Sequence, residues 1–460
     1  MKIVNPATEK VVTELPEDTA AAVAEHYARA RRAQAAWART PLSERVAVVR
    51  RFKDLLAGRR DELALTLTRE TGKPISQARN ELNAMAGRLE FFLTDAEKAV
   101  RDEVVLAAGN TVAAGMEEII RHEPLGVVGN ISAWNYPYFV GSNVFVPALL
   151  TGNAVLYKPS ELATSTGLAI QKLWADAGLP AGLFNVIVGG AEAGRALLEQ
   201  PIDALFFTGS YATGKKIAEA LAPRLVKVQL ELGGKDPTYV CEDVDVAAAA
   251  ESLADGAFYN NGQSCCSVER IYVHEKVYAP FVEAFLANVR GFVTGDPEDD
   301  KTYIGPLARA PQLEVLEGQV KDAVAKGARL LVGGKRMSRS GYYFEPTVLA
   351  DAKNDMALMR EESFGPIIGI ATVKSDDEAV SLMNDTSYGL TAGVYTKDRA
   401  RAQAVLSRVD AGTVYWNCCD RVSPRLPWTG RNGSGLGVTL SHYGIETFVR
   451  PKAWHLRAPA

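Results

Sequence analysis

An α/β fold built on parallel sheets is predicted by three features of this 460-residue sequence. From Leu125 onward, short apolar runs alternate with helical stretches, the pattern of strand–helix–strand units whose sheet is covered on both faces. The run from Pro124 to Tyr157 carries no charge, but Pro137, Pro147, Asn135 and Asn143 interrupt it. A buried strand–loop–helix–strand explains it better than one membrane-spanning helix. The length exceeds what one hydrophobic core fills, and predicts roughly two to four domains.

The first hundred residues read as helices. Ala20–Trp37 is alanine-rich with apolar residues on one face, Leu42–Leu56 repeats the pattern after Pro41, and Glu62–Thr71 continues it to a stop at Gly72 and Pro74. Ile75–Leu93 is again helical. Val104–Ile120 carries small and β-branched residues around Gly109–Asn110, the pattern of a hairpin. Buried strands are expected at Val127–Ile131, Ala154–Tyr157, Phe184–Val188, Ala204–Phe207 and Val226–Leu230. Helices between them are expected at Thr164–Ala177, Ala191–Leu198 and Gly214–Leu221. A second alternation follows Gly233, with strands at Thr238–Val240 and Arg270–Val273 and helices at Val246–Tyr259, Val277–Val289 and Gln312–Lys326. Phe448–Leu456 reads as a final strand. No internal repeat or low-complexity linker appears, so two interleaved α/β units are expected.

Hydrophobic and charged fractions of 47% and 23% are those of a globular protein, and a net charge of −4 leaves no electrostatic footprint for nucleic acid. The start lacks an apolar stretch of signal-peptide length and reads as mature protein. Five cysteines, Cys241, Cys265, Cys266, Cys418 and Cys419, form two vicinal pairs with no CxxC. That suits neither a disulfide framework nor a zinc site, and fits free thiols in a reducing cytoplasm.

Five segments could carry chemistry. Thr208–Gly209–Ser210 follows a strand and opens a helix, so its amides can face a phosphate. The segment nearly spells a Walker A loop, but Lys216 stands where the magnesium-binding hydroxyl belongs, and the GxGxxG fingerprint is missing. Lys158–Pro159–Ser160–Glu161 ends a strand, where a lysine donor and a glutamate acceptor suit a ribose diol, or form a solvated pair beside a turn. Glu231–Leu232–Gly233–Gly234 places a glutamate at another strand edge, where desolvation can raise its pKa towards that of a general base. Gly262–Gln263–Ser264–Cys265–Cys266 offers a thiol with no histidine motif beside it, which argues against a Cys–His protease. Trp134–Asn135–Tyr136–Pro137 offers an amide suited to an oxyanion, or a turn asparagine before a helix.

Taken together and in this order, Asn135, the Lys158 motif, Gly209, Glu231 and Cys265 resemble the aldehyde dehydrogenase superfamily. The resemblance runs from Asn5–Pro6–Ala7–Thr8 to the final strand and includes Glu361–Glu362–Ser363–Phe364–Gly365–Pro366 and Ser434–Gly435–Leu436–Gly437. It implies a Rossmann-like cofactor domain (1–102 and 123–230), an α/β catalytic domain (231–445) and a small β oligomerisation arm (103–122 and 446–460), in a homodimer or homotetramer. It also implies that the Cys265 thiolate attacks an aldehyde, with the Asn135 amide and the Cys265 N–H holding the oxyanion. Such donors are worth roughly 3–4 kcal/mol each. Hydride then passes to the nicotinamide, and Glu231 activates water to hydrolyse the thioester. Trp134, Lys158, Ser160, Glu161, Gly189, Gly209, Ser210, Leu232, Glu362 and Phe364 are the implied cofactor contacts.

Glu161 would accept from a ribose diol and repel a 2′-phosphate, which favours NAD over NADP. Glu231 weighs against the relatives that transfer the thioester to coenzyme A. Tyr136, Val140, Val422 and Trp428 are expected along the substrate tunnel, with Trp416 and Asp420 near. Such an aromatic box suits an amino-aldehyde cation or an apolar aldehyde. Where many members carry Arg-Glu near the end, this chain has Val438–Thr439, so a second glutamate is absent. Cys266 reads either as a small buried side chain or as the partner in a vicinal disulfide that switches activity off. The competing readings are a P-loop NTPase at Gly209–Lys215 and a catalytically silent scaffold.

Overall fold

The computed structural model describes residues 1–109, 112 and 115–459. The N-terminal helices run Ala20–Trp37, Leu42–Gly58, Arg60–Thr71 and Ile75–Val100. Thr19 caps the first by accepting from the Ala22 N–H, and Gly72, at φ 77°, ends the third in the left-handed conformation that glycine adopts freely. Ala78, Leu82, Met85, Leu89, Phe92 and Ala96 form the buried stripe of the fourth, at the spacing of one helical face.

These helices pack against a six-stranded sheet in the order Gly435–Leu436, Lys227–Glu231, Ala204–Thr208, Val127–Ser132, Ala154–Pro159 and Phe184–Val186. All neighbours are parallel except the first pair. The chain begins at the inner strand Val127–Ser132, winds outward to Phe184–Val186, then returns to the other side of its starting strand with Ala204–Thr208. A crevice opens at such a reversal, beyond the carboxyl ends of the two inner strands. The uncharged run resolves into a strand, the helix Pro137–Leu150 and a strand. At 14 residues that helix is too short for a bilayer, and among the described residues no helix is long and apolar enough to cross a membrane.

A seven-stranded sheet follows in the order Arg329–Val332, Thr347–Ala350, Ile367–Val373, Arg270–His274, Pro237–Val240, Thr391–Tyr395 and Thr413–Trp416, parallel apart from its first pair. Alternate residues face opposite cores: Tyr239 and Tyr272 pack with Leu316 and Met359, while Val240, Ile271 and Val273 pack with Phe258 and Phe285. The sequence reading marked two of these strands and missed the other five. It also missed the pair Lys2–Val4 and Val11–Glu14.

Glu103–Leu106, Met116–Pro124 and Val449–Arg457 form an antiparallel sheet, with the last strand in unbroken register from Val449 opposite Pro124 to Arg457 opposite Met116. Asn110 of the turn expected at Gly109–Asn110 lies outside the described residues.

Candidate active site

A cavity of about 760 Å³ lies along the carboxyl ends of the first sheet and reaches the second, within the range of small-molecule sites. At one end it is walled by Lys158, Ser160 and Glu161. Gly209 and Ser210 follow, and then Trp134, Asn135, Leu232, Cys265, Glu362 and Phe364. The strands ending at Ser132, Pro159, Thr208 and Glu231 release their segments at one edge of the first sheet. Cys265, Glu362 and Phe364 come instead from loops that precede the strands Arg270–His274 and Ile367–Val373 of the second.

Lys158 is buried, donates only to the Pro159 carbonyl at 3.2 Å, and lies within 4 Å of no carboxylate among the described residues. Burial pushes its pKa down. A buried ammonium has three donors, so this one has hydrogen-bonding capacity to spare on the cavity wall, with Glu161 exposed beside it as an acceptor. The Ser210 hydroxyl caps the helix Tyr211–Leu221 by accepting from the Thr213 N–H, and the Gly209 N–H donates to the Glu231 carbonyl at 3.0 Å. Gly189 lies just outside the wall, which Gly190 joins instead. A Cβ on Gly189 would meet Ala193, and its φ is 145°.

Cys265 leaves a turn of three consecutive left-handed residues, Asn260, Asn261 and Gly262 (φ 54°, 60° and 67°), a conformation that asparagine and glycine tolerate best. The Gln263 carbonyl in this turn accepts from Asn135 Nδ2 at 3.1 Å and from Asn260 Nδ2 at 3.0 Å. This fixes the buried Asn135 amide beside the half-buried Cys265 with its second N–H unspent. The Cys265 N–H donates to no described residue. Two free donors therefore flank the thiol, as an oxyanion requires.

Glu231 is the last residue of its strand, buried just behind the cavity wall. Thr439 Oγ1 donates to its Oε1, and Gln229 Nε2 does so at 3.2 Å. Burial pushes its pKa up to about 7 against those hydrogen bonds and the charge of Arg88. A carboxylate at that value is suited to proton abstraction near neutrality.

The Glu361–Pro366 loop closes the opposite side. Glu362 accepts from the Gly234 N–H at 3.0 Å, and burial, then the charge of Glu269, pushes its pKa up to about 8. A Cβ on Gly233 would sit 2.5 Å from that carboxylate, so a larger residue there would push the Glu362 side chain aside. The Phe364 ring stands edge-on to Trp134 at 5.6 Å.

The family model for the aldehyde dehydrogenase family matches residues 1–454. The chain belongs to the aldehyde dehydrogenase family. It is 36% identical to peroxisomal aminoaldehyde dehydrogenase 2 of Malus domestica over 462 residues, covering 98% of this chain and 91% of that protein. An NAD-dependent aldehyde dehydrogenase from Sinorhizobium meliloti superposes with a TM-score of 0.95 at 36% identity, covering 100% of this chain and 92% of that one. An NADP-dependent enzyme of E. coli gives 0.96 at 32% identity, covering 99% and 94%.

The four residues expected along an aldehyde dehydrogenase substrate tunnel stand outside the large cavity. Trp428 is buried in the first core, and Val422 packs against that core with Cys265. The Val140 N–H donates to the Tyr136 carbonyl at 2.8 Å. Tyr136 lies between the Lys73 ammonium, 3.7 Å from its ring centre, and the Phe139 ring. Phe139 carries the Arg88 guanidinium at 4.4 Å. Trp416 turns its indole N–H to the Thr396 carbonyl.

Several neighbours of the site gave no sequence signal. Arg309 lines the cavity, as does Lys216, which the sequence offered only as a departure from a Walker A loop. The buried Lys73–Glu81 pair anchors the helix after Asn135, because Glu81 accepts from the Tyr138 and Phe139 N–H groups. Lys73 and Glu81 are 8 residues apart, the first between Gly72 and Pro74 and the second in the helix that follows, and nothing in the local sequence joins them.

Proposed function

We propose that this aldehyde dehydrogenase oxidises an aldehyde to a carboxylic acid with NAD, through attack by Cys265 and hydrolysis assisted by Glu231. The observation that carries this reading is one cavity running from the under-satisfied Lys158 to the Cys265 thiol. Lys158, Ser160 and Glu161 would hold the adenosine ribose, Gly209 and Ser210 the pyrophosphate, and Trp134, Leu232, Glu362 and Phe364 the nicotinamide end. The bound dinucleotide supplies the hydride acceptor.

Cys265 adds to the carbonyl carbon, and the Asn135 amide with the Cys265 N–H takes the developing oxyanion. Once the acyl group is a thioester on Cys265, Glu231 accepts a proton from water as the water attacks it. The acid leaves and the thiol is restored. The charge of Glu161 favours NAD over a cofactor bearing a 2′-phosphate, and Glu231 favours water over coenzyme A as acceptor. NADH absorbance with an aldehyde panel tests this. We expect activity lost in Cys265→Ala, free acid with or without coenzyme A, and higher kcat/KM with NAD. Activity retained in Cys265→Ala overturns the reading.

Lys73 and Arg88 already occupy ring faces of Tyr136 and Phe139, which favours a neutral aldehyde over an ammonium-bearing one. Aldehydes of matched length test this, and higher kcat/KM for the cation would reverse it. The three-stranded sheet, with Val104 and Val105 exposed, supports an oligomerisation arm beside the cofactor and catalytic domains, and light scattering reads the dimer or tetramer. Five free thiols support a reducing compartment such as the cytoplasm, which fractionation of the source cells would test.

A further inference from the structure

Two adjacent thiols stand at this site, and their surroundings differ. Cys265 is half-buried on the cavity wall, whereas Cys266 is 4% exposed and sits among the apolar side chains of the first core. Cys266 Sγ donates to Asp420 Oδ1 at 3.0 Å, and Ser264 Oγ donates to the same oxygen at 3.1 Å. Ser264 Oγ lies 3.5 Å from Cys266 Sγ. Both neighbours of Cys265 are therefore tied to one carboxylate oxygen, delivered from a distant loop by a residue with φ 47°.

We propose that Asp420 is a positioning residue that decides which of the two vicinal thiols reacts. Its Oδ1 holds the side chains on both sides of Cys265 and reserves the Cys266 S–H as a donor. This rests on Cys265 being the nucleophile. Ionising Cys266 would turn a hydrogen bond to a carboxylate into a thiolate facing a carboxylate, in a place with little water to screen them. The Cys266 thiol accordingly sits well above the usual thiol range, through its hydrogen bond with Cys265, its burial and the charge of Asp420. The Cys265 thiol faces the cavity instead. The other groups around Asp420 are Asp255, which disfavours its charge, and Arg421 and Lys73, which favour it. The hydroxyls of Tyr136, Tyr259 and Tyr415 stay protonated.

Alkylation of the full-length protein by iodoacetamide, each thiolate displacing iodide, tests this when both cysteines are followed by peptide mass spectrometry. In the wild type, Cys265 should react at least about tenfold faster than Cys266 at pH 8, a factor that ~1.4 kcal/mol of activation energy supplies. Asp420→Asn keeps an oxygen acceptor and removes the charge. It should bring the two rates within a few-fold of each other, with its melting temperature recorded to show that it folds. Cys266→Ser, which can donate in the same way, should keep rapid labelling at Cys265. Cys266 labelling as fast as Cys265 in the wild type overturns the proposal whatever the variants do, and so does an unchanged ratio in a folded Asp420→Asn. Activity retained in Cys265→Ala would instead sink the underlying assignment of the nucleophile.

Discussion

Thr439 and Glu231 are 208 residues apart in sequence and share a hydrogen bond. That bond favours the ionised carboxylate, while burial favours the neutral one. In Thr439→Val the opposing donor is gone, so Glu231 should ionise at higher pH. The acid limb of the kcat profile, near pH 7, should move upward and turnover at pH 6 should fall several-fold. An unmoved limb would show that another group titrates there. Asn135→Ala should lower kcat by about 10²–10³ with little change in the KM for NAD, the usual cost of one lost oxyanion donor. Cys265, Glu231 and Asn135 could be named from sequence because each stands in a short motif, Glu231 and Asn135 at or just past a strand end and Cys265 in the loop after a helix. Thr439 drew attention only as a departure from the family pattern, and nothing local connected it to Glu231. Asp420 was noted only as near the pocket, because its partners Ser264 and Cys266 are distant in sequence.

The loop that carries Glu362 and Phe364 hangs on a buried pair. Lys235 Nζ lies 2.5 Å from Glu269 Oε2, and Glu269 also accepts from the Ser363 N–H at 2.9 Å and the Phe364 N–H at 3.0 Å. Gln312 Nε2 donates to the Ser363 carbonyl from another helix. Glu269→Ala leaves the Lys235 charge buried without a partner, which typically costs about 3–5 kcal/mol. Its urea midpoint should drop accordingly, and the KM for NAD should rise more than the KM for the aldehyde. Lys235→Met combined with Glu269→Leu should recover much of the stability and not the NAD affinity. Recovery of both would deny the loop a role in binding. At this scale the sequence was legible where one face or both faces of an element are apolar, as in Ala154–Pro159. It was less so where short strands such as Thr413–Trp416 lean on neighbours formed elsewhere in the chain.

Several carboxylates are buried across the molecule with their pKa pushed up: Glu231 to about 7, Glu362 to about 8, and Asp236, Glu70 and Asp420 in the same direction. Between the ordinary carboxylate range and these values the folded chain binds more protons than the unfolded one, so stability falls as pH rises through that window. The ligand-free protein should melt higher at pH 5.5 than at pH 8.5, and Glu362→Gln should flatten the difference. His26 and the buried Lys73, Lys158 and Lys235, whose pKa values burial lowers, act in the opposite sense. A pH dependence left unchanged by Glu362→Gln is therefore the result that would contradict a raised Glu362. The α/β class was readable because the strand–helix alternation is long. The order of the strands was not, because crossovers leave no mark on local composition.

The pairing of Gly435–Leu436 with the strand that ends at Glu231 also bears on synthesis. A ribosome releases the chain from its N-terminus, and the first five strands of that sheet emerge long before residue 435. The sixth strand, Thr439 and the strand Val449–Arg457 emerge long after them. An unfinished chain therefore exposes a bare sheet edge and leaves Glu231 without its hydroxyl partner, a long-range closure that is slow and prone to aggregation. A chain stopped after Pro427 should be recovered largely insoluble and without dehydrogenase activity. Cys265, the proposed nucleophile, is translated well before Gly435 and Thr439, and its proposed chemistry waits for them.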